Sequence, residues 1–245
     1  MKSPHLWKEN KFVCDSKTGR WIPNVDYPGI SSHSYIIASN QIKYYQEFIG
    51  KYISGKLLDC GCGDVPYYGI YRDRISDVYC VDWENTGAQK RSHIDQYVDL
   101  NKKLDIQSSS FDSVLLSDVL EHIAEPRNLL QELARVLRPQ GTLVVFVPFL
   151  YRIHEEPHDY YRYTEFALKH LLQTSGFEVL ELQSYGGAID VLFDNFNKLF
   201  FNTPRRSRML FRLYHTAISL SRVRRINEER RLSFPLGYCV AARKA

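Results

Sequence analysis

Two acids and two glycines carry the first chemistry legible in this chain. Leu57-Leu58-Asp59-Cys60-Gly61-Cys62-Gly63 runs as an apolar strand into a glycine turn, and Val78-Tyr79-Cys80-Val81-Asp82 is a second strand ending on an acid. Gly61 and Gly63 permit a tight turn and close backbone approach to a ligand. Asp82, nineteen residues beyond Gly63, falls where a carboxylate can grip ribose hydroxyls. Charge then selects among nucleotides. A dinucleotide pattern, Gly-x-Gly-x-x-Gly, needs a third glycine where this chain has Pro66, and a pyrophosphate favours helix N-terminal amides with no carboxylate beside them. Asp59, two places before Gly61, instead suits a ligand bearing ammonium and sulfonium charge.

A second concentration of reactive residues spans residues 151–163. His154-Glu155-Glu156-Pro157-His158 formally matches the zinc-peptidase pattern His-Glu-x-x-His, which works only when one helix puts both imidazoles on one face. Pro157 forbids that helix: it has no amide proton and holds Glu156 extended, so the segment reads as a loop and no metal is assigned to it. His154, His158 and Asp159 are the candidates for general base or hydroxyl positioning, with Tyr160, Tyr161 and Tyr163 as walls and Arg162 as an anion clamp. His122 is read as a cap or support for the helix after the fourth strand and stands outside the catalytic set.

Regular elements must position both groups. Apolar residues near helical spacing (Ile37, Ile42, Tyr45, Phe48, Ile49) predict a helix over residues 35–53, leading into the first strand and covering the ligand. Leu129, Leu130, Leu133, Val136 and Leu137 recur at helical spacing, Pro139 and Gly141 end that pattern, and Leu143-Val144-Val145-Phe146-Val147 is β-rich. The loop of residues 151–163 leaves this strand at its carboxyl end, the edge where open α/β sheets bind ligands. A helix over 164–174, ended by Gly176, and strands over 177–182 and 237–242 follow.

Asp59-x-Gly61-x-Gly63, followed in order by Tyr97-Val98-Asp99-Leu100, by Phe111 to Ile123 with its Leu120-Glu121-His122, and by residues 128–149, resembles the class I S-adenosylmethionine-dependent methyltransferases over residues 55–182. The run from Pro148 to Thr164 is similar to bacterial methyltransferases associated with glycan or cell-envelope synthesis. The resemblance implies an α/β, Rossmann-like, doubly wound, seven-stranded and mostly parallel sheet with S-adenosyl-L-methionine as cofactor. It implies Asp59 at the methionine ammonium, Asp82 at the ribose diol, Trp83 against adenine, and Asp99 with Leu100 at its polar edge; Gly61, Gly63 and Ser117 complete the cofactor set. The expected reaction is O-methylation of a sugar or lipid-linked glycan. A quinone or small-lipid methyltransferase is the alternative, favoured by an apolar tunnel, and a catalytically silent binding protein is the reading from another class.

Composition fits one α/β core with additions. At 245 residues and 44% hydrophobic content the chain can bury a sizeable core. The boundaries expected are an N-terminal flap over 1–34, with a hairpin turn at Lys17-Thr18-Gly19, the core over 35–189, a basic amphipathic helical insertion over 190–232, and the final strand over 233–245. Lys198 to Arg231 carries ten basic and two acidic residues, a net of +8 in a chain of net +4. At 100° per residue Met209, Leu210, Leu213, Tyr214, Ala217, Ile218 and Leu220 share one face of the insertion. Peripheral contact with an anionic membrane is expected, with Leu210, Phe211, Leu213 and Ile218 toward lipid. Nucleic acid is not an expected partner: Ser117-Asp118-Val119-Leu120 lacks the Asn/Asp-Pro-Pro-aromatic motif of amino-directed enzymes. No run is long and apolar enough to span a bilayer and no secretory leader is read, so a cytoplasmic protein, peripheral on the inner membrane face, is expected. Five scattered cysteines argue against a disulfide framework.

Overall fold

The computed structural model describes residues 1–84, 92–201 and 203–245. A hairpin, β1 (Phe12–Cys14) and β2 (Trp21–Pro23), precedes α1 (Tyr35–Tyr52), β3 (Gly55–Cys60), the single turn α2 (Tyr68–Tyr71), β4 (Ile75–Asp82), β5 (Gln96–Tyr97) and β6 (Phe111–Ser117). Then come α3 (Pro126–Val136), β7 (Leu137–Pro148), α4 (Glu165–Thr174), β8 (Phe177–Tyr185), three helices, α5 (Ala188–Phe200), α6 (Pro204–Ser219) and α7 (Ser221–Glu229), and β9 (Gly237–Lys244). Seven strands form one sheet in the order β5-β4-β3-β6-β7-β9-β8. The first five run parallel, and β9 lies antiparallel between β7 and β8. The fold is thus the Rossmann-like, doubly wound α/β sheet expected of this sequence.

Alternation along the strands explains why both faces are covered. Leu57, Leu115, Val144, Phe146 and Ala241 point to the α1 side, where Tyr45 stacks on Phe146 with ring centroids 3.6 Å apart. Leu58, Val114, Leu116, Leu143, Val145 and Val240 point to the other side, against Leu129, Leu130 and Leu133 of α3 and Leu168 and Leu172 of α4. Each such side chain contributes about 1.5–3 kcal/mol on burial. Cys60 and Cys62 fall into opposite cores, so they do not form a metal pair. Strand order reverses between β3 and β6, which opens a crevice beyond their carboxyl ends.

The N-terminal segment is packed down. Phe12 is fully buried and stacks on Tyr67 at 5.5 Å, Trp7 Nε1 donates to the Val65 carbonyl (3.0 Å), and Asn10 Nδ2 donates to that of Asp64 (2.7 Å). The hairpin expected around Lys17-Thr18-Gly19 forms, with Phe12 opposite Pro23, and the segment is a fixed cover beside the glycine turn.

In the helical insertion the single apolar face read from the sequence splits. Leu210 and Tyr214 are 5% and 4% exposed, and Phe211 packs on Tyr35 at 5.8 Å, whereas Met209, Leu213 and Leu220 are 54%, 55% and 58% exposed. The expectation that Leu210 and Phe211 face lipid is therefore corrected: the stripe Ser207, Leu210, Tyr214 fits against the body and Phe211 packs beside it. α5 is turned inside out. Its buried positions are Asp190, Asp194 and Asn197, while Leu192, Phe196, Leu199 and Phe200, spaced along one helical face, lie outward. Several groups of the inner face have polar partners: Tyr214 Oη and Asn227 Nδ2 donate to Asp190 (both 2.8 Å), Asn227 Oδ1 accepts from the Ile189 amide (2.9 Å), and Lys198 pairs with Asp194.

Candidate functional site

The glycine turn begins where β3 ends. Gly61 and Gly63 adopt φ of +75° and +56°, and the amides of Gly61 and Cys62 donate to the Val81 carbonyl (2.8 and 3.1 Å). A Cβ on Gly61 would stand 2.4 Å from a methyl of Val119, so neither the backbone conformation nor the space admits a side chain. At the end of β4, Asp82 accepts from the amides of Gly63 (2.9 Å) and Trp83 (2.8 Å), which locks the carboxylate to the turn. Trp83 is 47% exposed beside it, its ring 5.5 Å from that of His158.

Asp59 sits beneath the turn. It is 3% exposed and accepts from Tyr71 Oη (2.7 Å); burial pushes its carboxyl up to about 7, against the Tyr71 bond, with the nearby Asp82 charge adding to the rise. The structure thus brings Gly61, Gly63, Asp82 and Trp83 together at the crevice and leaves Asp59 below its floor. Asp99 is tied to its own loop: the Asn101 amide, at 3.0 Å, is the main group holding its carboxyl low, with Lys102 at 3.1 Å. Leu100 is buried in the α3-side core. Ser117, at the end of β6, donates to Asp118 (3.2 Å), and Asp118 also accepts from Tyr45 Oη (2.9 Å) and Gln41 Nε2 (3.2 Å) of α1.

The loop after β7 is pinned from inside. Asp159 binds Arg162 through both carboxylate oxygens (2.6 and 2.7 Å) and accepts from the His154 amide (2.8 Å). Burial pushes the Asp159 carboxyl up, but these donors outweigh it and hold it at about 2. Arg162 also donates to the carbonyls of Tyr151, Arg152 and Tyr161. The guanidinium read as an anion clamp is a loop staple, because its donors are engaged within the segment. Tyr163 is likewise no wall: it is 4% exposed and donates to the Leu120 carbonyl (3.0 Å).

The two histidines of the loop diverge. His158 Nδ1 lies 3.1 Å from Tyr160 Oη, on the Trp83 side. His154 turns the other way, its Nδ1 3.3 Å from Asp159 and its ring 4.7 Å from that of His122. Burial lowers the pKa of His154, and the neighbouring His122 lowers it further, so the imidazole is neutral at pH 7. Glu121, which the sequence reading passed over, stands behind both rings at 0% exposure; neither carboxylate oxygen has a hydrogen-bond partner, and burial pushes its carboxyl well up. The signal that could have found it is its place in Leu120-Glu121-His122, an acid and an imidazole at the carboxyl end of a central strand.

An open parallel sheet with a glycine turn, a locked acid after the second strand and a histidine-bearing loop at the reversal point is the layout of a nucleoside-dependent transferase. Comparison with known proteins agrees. Residues 58–145 match the methyltransferase-domain family. A probable S-adenosylmethionine-dependent methyltransferase of Mycolicibacterium smegmatis is 27% identical over 163 residues, covering 62% of this chain and 63% of that protein. A demethylmenaquinone methyltransferase of Paenarthrobacter aurescens is 31% identical over 97 residues, 38% of each chain. The chain therefore spans less than two thirds of the length of these curated relatives. Among solved structures, an S-adenosylmethionine-dependent methyltransferase of Archaeoglobus fulgidus aligns with a TM-score of 0.56 at 15% identity, covering 87% of this chain and 95% of that one. The [4+2]-cyclase SpnF aligns at 0.54 and 18% identity over 88% and 85%. A cyclase on the same fold shows that the fold alone does not name a reaction. Residues 58–145 are thus similar to a methyltransferase domain, on a fold shared with S-adenosylmethionine-dependent methyltransferases. Asp82, locked to the glycine turn by the Gly63 amide, and the half-exposed Trp83 next to it fit the nucleoside of S-adenosylmethionine.

Proposed function

We propose that this chain methylates an oxygen of a polar acceptor, a sugar or a lipid-linked glycan, at the carboxyl edge of β6 and β7. One observation carries the acceptor class: the inner face of α5, which borders the loop after β7 where Lys198 lies over the Tyr151 ring at 3.7 Å, is polar, with Asp190, Asp194, Asn197 and Lys198 buried. An apolar tunnel for a quinone would need the reverse. Bound S-adenosylmethionine supplies a methyl group already activated on sulfur, which leaves the protein alignment, desolvation and acceptance of a proton.

Gly61 and Gly63 admit the cofactor backbone to backbone, Asp82 holds the ribose diol, Trp83 flanks adenine, and Asp99 with Leu100 borders its polar edge. Ser117 lines the floor, and Asp59 acts from below as counter-charge rather than by contact. His154 is the group that withdraws the proton of the acceptor hydroxyl: its ring is held at Nδ1 between Asp159 (3.3 Å) and Arg162 (3.4 Å), and burial keeps it neutral and able to accept a proton. His158 is the second candidate, placed nearer the adenine side. The test is transfer from methyl-labelled S-adenosylmethionine into a lipid extract separated into glycolipid, free glycan and quinone fractions. Label in a glycan-bearing fraction, lost with His154→Ala, is expected; label confined to quinones refutes it and favours the second reading, which the similarity to demethylmenaquinone methyltransferase supports.

The outward row Leu192, Phe196, Leu199 and Phe200, in a segment rich in arginine, supports docking on an anionic membrane, where a lipid-linked acceptor is presented. Among the described residues no helix is long and apolar enough to cross a membrane.

A further inference from the structure

Glu121, His122 and His154 offer one carboxylate and two imidazole nitrogens within 4.8 Å of one another. We propose that these three side chains form a binding site for a divalent transition-metal ion of the zinc type, with one coordination position open toward the acceptor. The inference rests on the methyltransferase reading of His154 given above and changes how the acceptor hydroxyl is activated, from proton transfer to an imidazole to acidification by an ion.

Both rings are oriented as ligands. His122 Nδ1 lies 2.8 Å from the His158 carbonyl, which accepts its proton, and His154 Nδ1 is held by Asp159 at 3.3 Å. The His122 Nδ1–H thus has an acceptor and its Nε2 keeps the lone pair, the arrangement by which an outer carbonyl fixes a metal-bound imidazole, while His154 Nδ1 lies between Asp159 and, at 3.4 Å, Arg162 Nη2. The two Nε2 atoms stand 3.7 and 3.8 Å from the same oxygen of Glu121, too far for hydrogen bonds. Atoms about 2.1 Å from a shared tetrahedral ion stand about 3.4 Å apart, so the two Glu121 pairs need to close by only a few tenths of an ångström and the whole set, which lies within 4.8 Å, by at most about 1.4 Å.

Glu121 provides the independent reason. It is fully buried, and neither of its oxygens has a donor. Such a group costs several kcal/mol unless something pairs with it. Arg162 is close enough to influence it, yet its donors go to Asp159, to backbone carbonyls and to His154 Nδ1. Nor is Glu121 loosely placed: its own carbonyl accepts from the amides of Tyr160 (2.9 Å) and Tyr161 (3.2 Å), which brings the loop of His154 over the Leu120–His122 turn. Two imidazoles with one carboxylate suit zinc and its neighbours, whereas magnesium and calcium favour all-oxygen sets. Glu121 is closed off while His122 and His154 are 18% and 23% exposed, so an ion and an acceptor oxygen would enter from the imidazole side. There an ion would lower the pKa of the acceptor hydroxyl; its proton leaves to solvent, the oxygen takes the methyl carbon, and the carbon–sulfur bond breaks with its electron pair on sulfur.

The test is equilibrium dialysis of untagged, metal-free protein against Zn²⁺, with Co²⁺ absorption as the probe of coordination. One ion per chain, a visible spectrum of a four- or five-coordinate nitrogen–oxygen site, and affinity reduced at least ~10-fold by His122→Ala and by His154→Ala are expected. Exposed His170 on α4 is the control, and His170→Ala should leave binding unchanged. Glu121→Gln, which keeps shape and loses charge, should weaken binding as well, and Zn²⁺ should raise Tm in the parent but not in the histidine variants. Absence of stoichiometric binding, or binding unchanged in both histidine variants, overturns the site. A metal-free enzyme that still loses kcat with His154→Ala rejects the metal and leaves the methyltransferase reading standing; stoichiometric ion binding without methyl transfer supports the site and counts against that reading.

Discussion

The sheet and the helical insertion bury opposite kinds of side chain. Along β3, β6 and β7 the interior is leucine, valine and phenylalanine, and polar groups concentrate at the carboxyl ends, where the candidate site lies. In α5 the interior is Asp190, Asp194, Asn197 and Lys198, and the leucines and phenylalanines lie outside. A buried polar face costs desolvation unless its partners are supplied, and here Tyr214, Asn227 and the backbone of Ser32 supply several of them. Helical periodicity therefore tells which residues share a face and not which face is buried. The contrast gathers polar side chains at the sheet edge and leaves bare apolar ones on the outside of the insertion.

The largest effect that can break this division is at His154. His154→Ala should lower kcat by about 10² to 10⁴ with cofactor affinity nearly unchanged, read by single-turnover rates and calorimetry. A fall of less than tenfold would remove His154 from the reaction and shift attention to His158. Next, two leucines three residues apart on α6 should part company. Leu210→Ala, in the buried stripe, is expected to cost about 2–5 kcal/mol in denaturant unfolding, and Leu213→Ala, half exposed, less than about 0.5 kcal/mol. Equal costs would mean the helix is rotated from the orientation described.

Asp82→Ala is expected to weaken S-adenosylmethionine binding by about 1.5–3 kcal/mol in calorimetry, since a charged acceptor is lost. Unchanged affinity would take Asp82 out of the cofactor site. Asp59 offers a smaller, pH-dependent readout on the cofactor-free protein. Its folded pKa, about 7, lies above the ordinary 3.8, so the folded state keeps a proton that the unfolded chain has released between those values. The stabilising contribution is full below pH 3.8 and is lost as pH rises toward and through 7. Asp59→Asn lacks this loss, so its Tm advantage over the parent should grow from pH 5 to pH 8, by about 2–4 °C for each kcal/mol relieved. A pH-independent difference would show that Asp59 titrates as an ordinary carboxyl.

The smallest folding effect sharpens the comparison most. Leu199→Glu, at a site 76% exposed, should leave stability within about 0.5 kcal/mol yet abolish sedimentation with anionic vesicles at low salt. Binding should also fade as salt screens the arginines. A protein that ignores such vesicles, or a variant that binds like the parent, would remove the membrane role.

Much of the site's frame was legible because it depends on local rules. A glycine turn needs positive φ, which Gly61 and Gly63 adopt, and Asp82 at the end of the next strand reaches that turn through the Gly63 amide. The helical spacing of Leu129, Leu130, Leu133 and Val136 and the break at Gly176 are local in the same sense. Arg162 was misread because nothing in its sequence neighbourhood shows that the carbonyls of residues 151 and 152 fold back onto it. Glu121 was missed because its unpartnered burial depends on a loop some thirty residues later.

By itself, then, the sequence determined the strand and helix periods, the glycine turn and acidic strand end and the α/β class, while the cofactor came only with the family resemblance. These follow from backbone stereochemistry and from the spacing of apolar residues over a few turns or a strand. Only the tertiary structure decided that Asp59 is buried beside the turn, that Asp159 stands next to His154, that Glu121 meets two imidazoles, and that α5 shows its apolar side to the outside. Each of these depends on which distant surface a face packs against, and burial, the quantity that sets the cost of a charge or a bare leucine, exists only once those surfaces have met.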